Sequence, residues 1–150
     1  MKQELKNKLA FLADKYEVAE FIMDDPVQFP HRYTGKADIE ISALVASWIA
    51  TGNRKAIIKS GDRIDRELFS NAPYRYILSE EWKKYRGVKT SFYRYYSWND
   101  FYLLCQALYA AYQEHEDLES HLCHSLSWGT PLERLQSVFG TGARCWSISI

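Results

Sequence analysis

The chain has 150 residues, which suits a single domain, and its 47% hydrophobic and 25% charged residues are typical of a soluble globular protein. Nineteen basic residues balance nineteen acidic ones, so the overall charge points to no polyanionic partner, and only a local cluster could do so. The aromatic share is high at 15%, which predicts a bulky core or an interaction surface.

The sequence pattern predicts neither a secretory signal nor a disulfide framework. The first twelve residues alternate Lys and Glu with Leu, unlike a secretory signal, and no run approaches 18 consecutive apolar residues. Cys105, Cys123 and Cys145 are too unevenly spaced for a set of disulfides. We therefore expect a cytoplasmic protein whose thiols act as small hydrophobic groups in a reducing compartment.

The N-terminal region is predicted to be helical and then extended. Residues 2–16 carry apolar side chains on one helical face and Lys and Glu on the other, which predicts an amphipathic helix. Residues 18–23 add a short helical turn that ends before Pro26, because residues that precede proline avoid the helical region. Residues 24–36 hold two of the four prolines and predict an extended loop, either functional or a strap across the core.

The central element is a predicted helical hairpin over residues 38–68. Asp38 is expected to cap its first helix, whose apolar positions recur at helical spacing as far as Ile49. Gly52 supplies the left-handed residue that often ends a helix, and Asn53 caps the second helix. The remaining helices can pack around such a hairpin.

The second half of the chain continues this helical pattern. Pro73 suits the first position of a short helix. Residues 82–96 are interpreted as loop or irregular helix, because a single strand there would have no partner. Ser97 and Asp100 match a capping box at the start of a long helix that runs to about His115.

Two further helices complete the prediction. Asp117 begins the first of them, and Thr130-Pro131-Leu132-Glu133 begins the second, which stops at Gly140. The tail over residues 140–150 shows no helix pattern. About seven helices and no credible sheet predict one all-α domain over residues 1–150, a compact orthogonal bundle.

Two short segments could bind an anion such as phosphate. The first contains His31 and Arg32 between aromatic residues; in the alternative interpretation, the rings fill the core while Arg32 pairs with a carboxylate or a helix C-terminus. The second contains Asn53, Arg54 and Lys55 at a helix start, where free amide groups and the helix dipole favour an anion. This segment lacks the glycines of a phosphate loop, so an ordinary interhelical turn is the alternative.

A third segment, residues 82–99, combines cations with aromatic rings and contains no acidic residue. Cations that contact phosphates beside rings that stack on bases would suit single-stranded or distorted nucleic acid. The alternative is that the seven rings belong to the core and the cations are solvated. Its five cations are Lys83, Lys84, Arg86, Lys89 and Arg94.

Metal and catalytic sites are not predicted. His115, His121, Cys123 and His124 are metal-binding residue types, and two of these histidines are three residues apart on one predicted helix. No CxxC pair and no HExxH helix accompanies them, so we expect ordinary helix residues, no metal and no cofactor. The chain also has no nucleophile elbow and no Ser, His and Asp set at recognisable spacing, so no catalytic residue is predicted.

The chain contains several distinctive stretches, namely FPHRY, DIEISALVASWIATGNRKAII, NAPYRYI, FYRYYSWNDFYLLCQALYAAYQEHEDLE and TPLERL. Together they resemble a family of bacterial proteins known only as a domain of unknown function. The resemblance extends from about Leu9 to Phe139, and it implies no particular activity.

More distantly, the hairpin over residues 38–68 resembles the opening of the helix-hairpin-helix DNA glycosylases of the endonuclease III type. This resemblance implies a fold like the N-terminal part of such an enzyme, although Ala50-Thr51-Gly52 stands where those enzymes commonly have glutamine. Members of the unknown-function family are longer than 150 residues, and their second half carries a basic, tryptophan-containing helix and a Leu-Asp-x-His-like segment that resembles the catalytic aspartate region of the glycosylases. Neither has a counterpart here, and Gly140-Thr141-Gly142 only echoes the DNA-gripping hairpin. We therefore expect a truncated or frame-shifted, N-terminal part of a longer protein.

Three functional hypotheses follow. The first is a non-catalytic, glycosylase-like module that contacts nucleic acid through residues 82–98, with Arg32, Arg54 and Lys55. The second is an inactive fragment of a DNA-repair-like enzyme, and the third is a helical protein-interaction domain without a nucleic-acid role. Because loss of a partner half would expose apolar helix faces, we also expect self-association through such faces and no contact with a membrane.

Overall fold

The computed structural model of the protein describes residues 2–16 and 18–125. These residues form seven α-helices and one two-stranded antiparallel hairpin, so the all-α prediction is confirmed. The predicted helix after Thr130 and the tail over residues 140–150 lie outside the described residues. The elements are α1 (Lys2–Tyr16), α2 (Ala19–Met23), α3 (Lys36–Trp48), α4 (Arg54–Arg63), α5 (Pro73–Ser79), β1 (Ser91–Tyr93), β2 (Tyr96–Ser97), α6 (Trp98–Glu114) and α7 (Leu118–Ser125).

The predicted hairpin is present as α3 and α4, and α4 continues into a π-helical turn over Ile64–Leu68. Asn53 caps α4 as predicted, since its Oδ1 accepts a hydrogen bond from the N–H of Lys55 at 2.9 Å. The prediction that Asp38 caps α3 is wrong. Asp38 lies inside the first turn of α3, and its carboxylate accepts a hydrogen bond from the N–H of Tyr74 at 2.9 Å, at the start of α5.

The segment over residues 24–36 is a strap that lies across the core. Instead of an extended loop it forms two 3-10 turns, Pro26–Gln28 and Pro30–Arg32. Phe29, between these turns, is 3% exposed, and its ring packs so closely on Gly61 of α4 that a Cβ atom there would collide with it. Glycine at position 61 is therefore required by packing.

The interpretation of residues 82–96 as loop or irregular helix is only partly correct. Glu81–Tyr85 forms a 3-10 turn, but β1 and β2 then pair with each other, Ser91 with Ser97 and Tyr93 with Tyr96. The strand therefore has a partner only a few residues away. At the tip of this hairpin, Arg94 adopts a left-handed backbone conformation with φ of 50°.

The core lies among α3, α4, α5 and α6. Ile41, Ile77 and Phe101 are fully buried there, and Trp82 is 1% exposed with its indole N–H donating to the carbonyl oxygen of Ile77 at 2.9 Å. The predicted capping box starts α6, with each of its two residues hydrogen-bonded to the backbone of the other. None of the helices that the structure describes is long and apolar enough to cross a membrane.

Candidate nucleic-acid interface

Arg94 lies at the tip of the β-hairpin, against the turn that joins α3 to α4. Its guanidinium group covers Gly52, where a Cβ atom would lie 2.5 and 2.7 Å from the two terminal nitrogens. Gly52 has φ of 110°, which favours glycine. Beside it, the hydroxyl of Tyr93 donates to the carbonyl oxygen of Thr51 at 3.2 Å, so the hairpin tip and the turn are held together.

Aromatic rings fix the hairpin in this position. Trp48 at the end of α3 lies 4.3 Å from the ring of Tyr96 and 5.9 Å from the ring of Phe92, measured between centroids. Phe92 also stacks on Phe101 of α6 at 4.7 Å. These rings therefore belong to the core and are not available to stack on bases, whereas Tyr95 at the tip is 80% exposed.

The start of α4 adds two more cations at this turn. Arg54 and Lys55 are its first two residues, and both are exposed. Arg54 lies 3.9 Å from a carboxylate oxygen of Asp25 and covers the ring of Phe21 at 5.6 Å. Within the described residues, neither Lys55 nor Arg94 forms an ion pair with a carboxylate. We call Arg54, Lys55, Arg94 and Tyr95 the α4 basic surface.

A cleft of about 440 Å³ opens beside this surface. Its walls are mainly apolar, and Gly52 and Arg54 belong both to the cleft and to the turn described above. Sequence reasoning missed the cleft because its residues come from the strap, α3 and α4, which meet only in the folded chain. The apolar part of its lining consists of Pro26, Val27, Pro30, Ala43, Ala46, Ala50 and Ile57.

Arg32, in contrast, is neutralised by the protein itself. Its Nη1 donates to Asp65 at 3.1 Å and forms an ion pair with Asp62 at 2.8 Å, and its Nη2 donates to Gln28 at 2.7 Å. Burial disfavours the charged form, but the two carboxylates outweigh this effect and raise the pKa of Arg32. This arrangement corresponds to the alternative in which Arg32 pairs with carboxylates.

Asp65 is the buried centre of that arrangement, with 3% exposure. Its second oxygen accepts a short hydrogen bond from the hydroxyl of Tyr33. Burial, and then the hydrogen bond to Asp65 and its negative charge, raise the pKa of Tyr33 above its ordinary value. The adjoining His31 is exposed on the strap. This cluster joins the strap to the π-helical turn after α4.

The other predicted cations lie on separate elements. Lys83 pairs with Glu80, and the ammonium group of Lys84 lies 5.1 Å from the centre of the Tyr85 ring. Arg86 and Lys89 are exposed in the turn that precedes β1. Ten residues were predicted to bind an anion or nucleic acid, and four of them meet in the structure. Arg94 lies against the turn that contains Asn53, Arg54 and Lys55. Asn53 acts there as the helix cap.

The family of the chain is shown by comparison with known proteins. The profile of a family described as a protein of unknown function (DUF2400) matches residues 25–142. The chain belongs to this family. The DUF2400 match includes the α4 basic surface, whereas α1 and α2 precede it. The predicted resemblance to a domain of unknown function is thereby confirmed, while bacterial origin and similarity to DNA glycosylases stay predictions. No curated protein and no solved structure matches the chain.

Proposed function

We propose that this DUF2400 chain is a nucleic-acid-binding helical module that contacts the phosphate backbone through the α4 basic surface. The observation that carries the proposal is the guanidinium group of Arg94, which lies over Gly52 and makes no ion pair within the described residues. Lys55 supplies a second such cation at the start of α4. Guanidinium and ammonium groups bind phosphate oxygens, and the helix dipole favours the same charge.

The exposed ring of Tyr95 suggests which nucleic acid is preferred. It follows Arg94 in the hairpin tip and is 80% exposed, so a base can stack on it while a phosphate contacts the cation. Bases in a duplex are already stacked on one another, whereas those of a single strand are accessible. The proposed ligand is therefore a single-stranded or locally unpaired nucleic acid.

The proposed role of the described residues is binding without chemistry. The buried carboxylate of Asp65 already bonds to Arg32 and Tyr33, which occupy both of its oxygens. The cavity beside it has a volume of about 10 Å³, room for one water molecule and not for a substrate. Asp65 therefore stabilises the fold and is not positioned to react.

Fluorescence anisotropy with a short labelled single strand and its duplex tests this proposal. Arg94→Gln and Lys55→Gln should each weaken binding of the single strand roughly tenfold, or about 1.4 kcal/mol, while Arg94→Lys retains most of the affinity. The matched control is Arg75→Gln, which removes an exposed cation from α5 and should leave binding unchanged. Undetectable binding, or equal loss in all three glutamine variants, would contradict the proposal.

A second candidate function, self-association, is favoured by α1. Leu5, Leu9, Leu12 and Tyr16 recur at spacings of four, three and four residues, which is the pattern of a coiled-coil seam. All four are exposed, by 57%, 57%, 36% and 46%. We propose a second copy of this chain as the occupant of that seam.

The charges that flank the seam favour a parallel pair, because antiparallel pairing would bring two lysine side chains together. In a parallel pair, Lys8 would lie opposite Ala13 of the second copy, whereas antiparallel pairing would bring it towards Lys15. Light scattering across a range of concentrations should show dimers, and Leu9→Asp should shift them to monomers. A monomer at every concentration would reject this candidate and leave the nucleic-acid proposal untouched.

A further inference from the structure

A cluster of metal-ligating side chains lies at the junction of α6 and α7. Glu114 is the last residue of α6, His115 follows as its C-cap, and His121 lies in α7. One carboxylate oxygen and one nitrogen of each imidazole all lie within 4.8 Å of one another. The two imidazole rings are 5.0 Å apart and inclined at 67°.

We propose that this junction is a binding site for a divalent transition-metal ion, zinc being the best match, with Glu114, His115 and His121 as ligands. Zinc accepts imidazole nitrogen and carboxylate oxygen at about 2.0–2.2 Å, and three protein ligands commonly leave its fourth position to water. Tetrahedral bonds of that length place ligand atoms roughly 3.5 Å apart. The three ligand atoms lie within 4.8 Å of one another, so they must approach by up to ~1 Å to reach that spacing. Glu114 is exposed, and a rotation of its side chain can supply this movement.

The donor set selects among ions. Two imidazole nitrogens suit zinc, cobalt, nickel or copper, whereas magnesium and calcium take oxygen ligands. The C-terminal end of α6, a helix of 17 residues, also points its partial negative charge at Glu114 and His115. The ligand types therefore favour a transition metal, and the local field favours a cation in general.

Contacts with α3 hold the junction in place before any ion binds. Glu40 of α3 accepts hydrogen bonds from the N–H of Leu118 at 2.9 Å and from the hydroxyl of Tyr112 at 2.9 Å. Lys36 contacts a carboxylate oxygen of Asp117 at 2.7 Å. The backbone between the two histidines is thus anchored to α3 at Asp117 and Leu118, which reduces the rearrangement needed for metal binding.

This arrangement explains why the sequence pattern did not reveal the site. His121 and His124, the pair three residues apart, suggested a site within a single helix, and the side chains of Cys123 and His124 lie outside the described ones. The ligands that the structure brings together come instead from two helices. Their bound ion would join α6 to α7, so it should also raise the stability of the folded chain.

Zinc titration against a chromophoric chelator, with the full chain, tests the site. Wild type should bind one equivalent, and His115→Ala and His121→Ala should each weaken binding by roughly 100-fold or more, since each removes a ligand. Glu114→Gln should weaken it less, about tenfold, because this ligand is exposed. The control is His31→Ala, which removes an exposed histidine of the strap and should bind zinc like wild type.

A spectroscopic measurement on the unmodified chain keeps the test independent of how the variants fold. Cobalt(II) in place of zinc should give the intense visible bands of a four-coordinate site, and magnesium should not compete with it. The weak spectrum of hydrated cobalt, or equal zinc affinity in wild type and the two histidine variants, would overturn the proposal. Zinc binding should be unchanged in Arg94→Gln, because it does not depend on the α4 basic surface.

Discussion

Arg94 lies over Gly52 so closely that no side chain fits between them. The guanidinium group occupies the space in which a Cβ atom at position 52 would lie, within 2.7 Å of both terminal nitrogens. Together with the hydrogen bond from Tyr93 to Thr51, this contact joins the tip of the β-hairpin to the turn between α3 and α4. It also places a cation beside a helix start, which is the basis of the proposed nucleic-acid contact.

Gly52→Ala should therefore reduce both stability and binding. The alanine must adopt a left-handed φ of 110° and displace Arg94, so we expect a loss of about 1–3 kcal/mol in the free energy of unfolding. Binding of a labelled single strand should weaken as Arg94 moves away. Urea unfolding and fluorescence anisotropy measure the two effects.

Gly87→Ala is the matched control for that substitution. Gly87 also has a positive φ, of 76°, but a Cβ atom there would meet no atom of the described residues within 4 Å. It should lose stability through backbone strain alone and bind nucleic acid like wild type. A folded Gly52→Ala variant that binds the single strand as well as wild type would show that nucleic-acid binding does not depend on the position of Arg94.

Asp65→Asn tests the buried cluster beneath the strap. The substitution removes the charge that Arg32 and Tyr33 contact, and we expect a loss of about 2 kcal/mol in the free energy of unfolding, as for hydrogen bonds to a charged group. Asp62→Asn should cost less, because Asp62 is 35% exposed and solvent screens its ion pair. Denaturant titration measures the loss in the free energy of unfolding for each variant, and equal losses would contradict the central role of Asp65.

Two tyrosine substitutions should change the free energy of unfolding by different amounts or in opposite directions. The hydroxyl of Tyr76 is buried and has no hydrogen-bond partner among the described residues, so Tyr76→Phe should be neutral or stabilising by up to about 1 kcal/mol. The hydroxyl of Tyr33 donates to Asp65, so Tyr33→Phe should cost about 1 kcal/mol. Urea midpoints for the two variants give the comparison, and a greater loss for Tyr76→Phe would refute it.

The same tyrosines predict how stability depends on alkaline pH. Burial is the main cause that raises the pKa of Tyr76, and burial followed by Asp65 raises that of Tyr33. A tyrosine in the unfolded chain loses its proton near pH 10, whereas these two retain theirs in the folded state. The folded chain then binds more protons, so stability should fall as pH rises above about 10. The double variant Tyr33→Phe/Tyr76→Phe should show a shallower fall, and an unchanged slope would contradict this assignment.

Local signals in the sequence were enough to predict most helix starts. The cap by Asn53 and the capping box of Ser97 and Asp100 involve groups at most three residues apart, so the sequence alone contains both partners. Asp38 has the same residue type as a cap, but it bonds to Tyr74, and no local pattern indicates a partner so distant in the chain. The helices were therefore predictable, and the contacts between them were not.

In the candidate interface, too, the sequence indicated the residues but not the contacts that they make. The sequence predicted Arg32 as an anion-binding residue and Arg94 as a nucleic-acid-binding residue, since each lies among aromatic residues. Folding brings Arg32 to Asp65, whereas Arg94 lies over Gly52 and pairs with no carboxylate in the part of the chain that the structure describes. The hairpin that positions Arg94 was missed because its tip has no glycine, asparagine or aspartate to indicate a turn.

The salt dependence of single-strand binding tests the central claim most directly. If Arg94 neutralises a phosphate, the affinity of wild type should fall linearly with salt concentration on logarithmic axes, and Arg94→Gln should give a slope shallower by about one. Arg75→Gln should retain the wild-type slope. An affinity that does not respond to salt, or equal slopes for wild type and Arg94→Gln, would contradict the proposed phosphate contact.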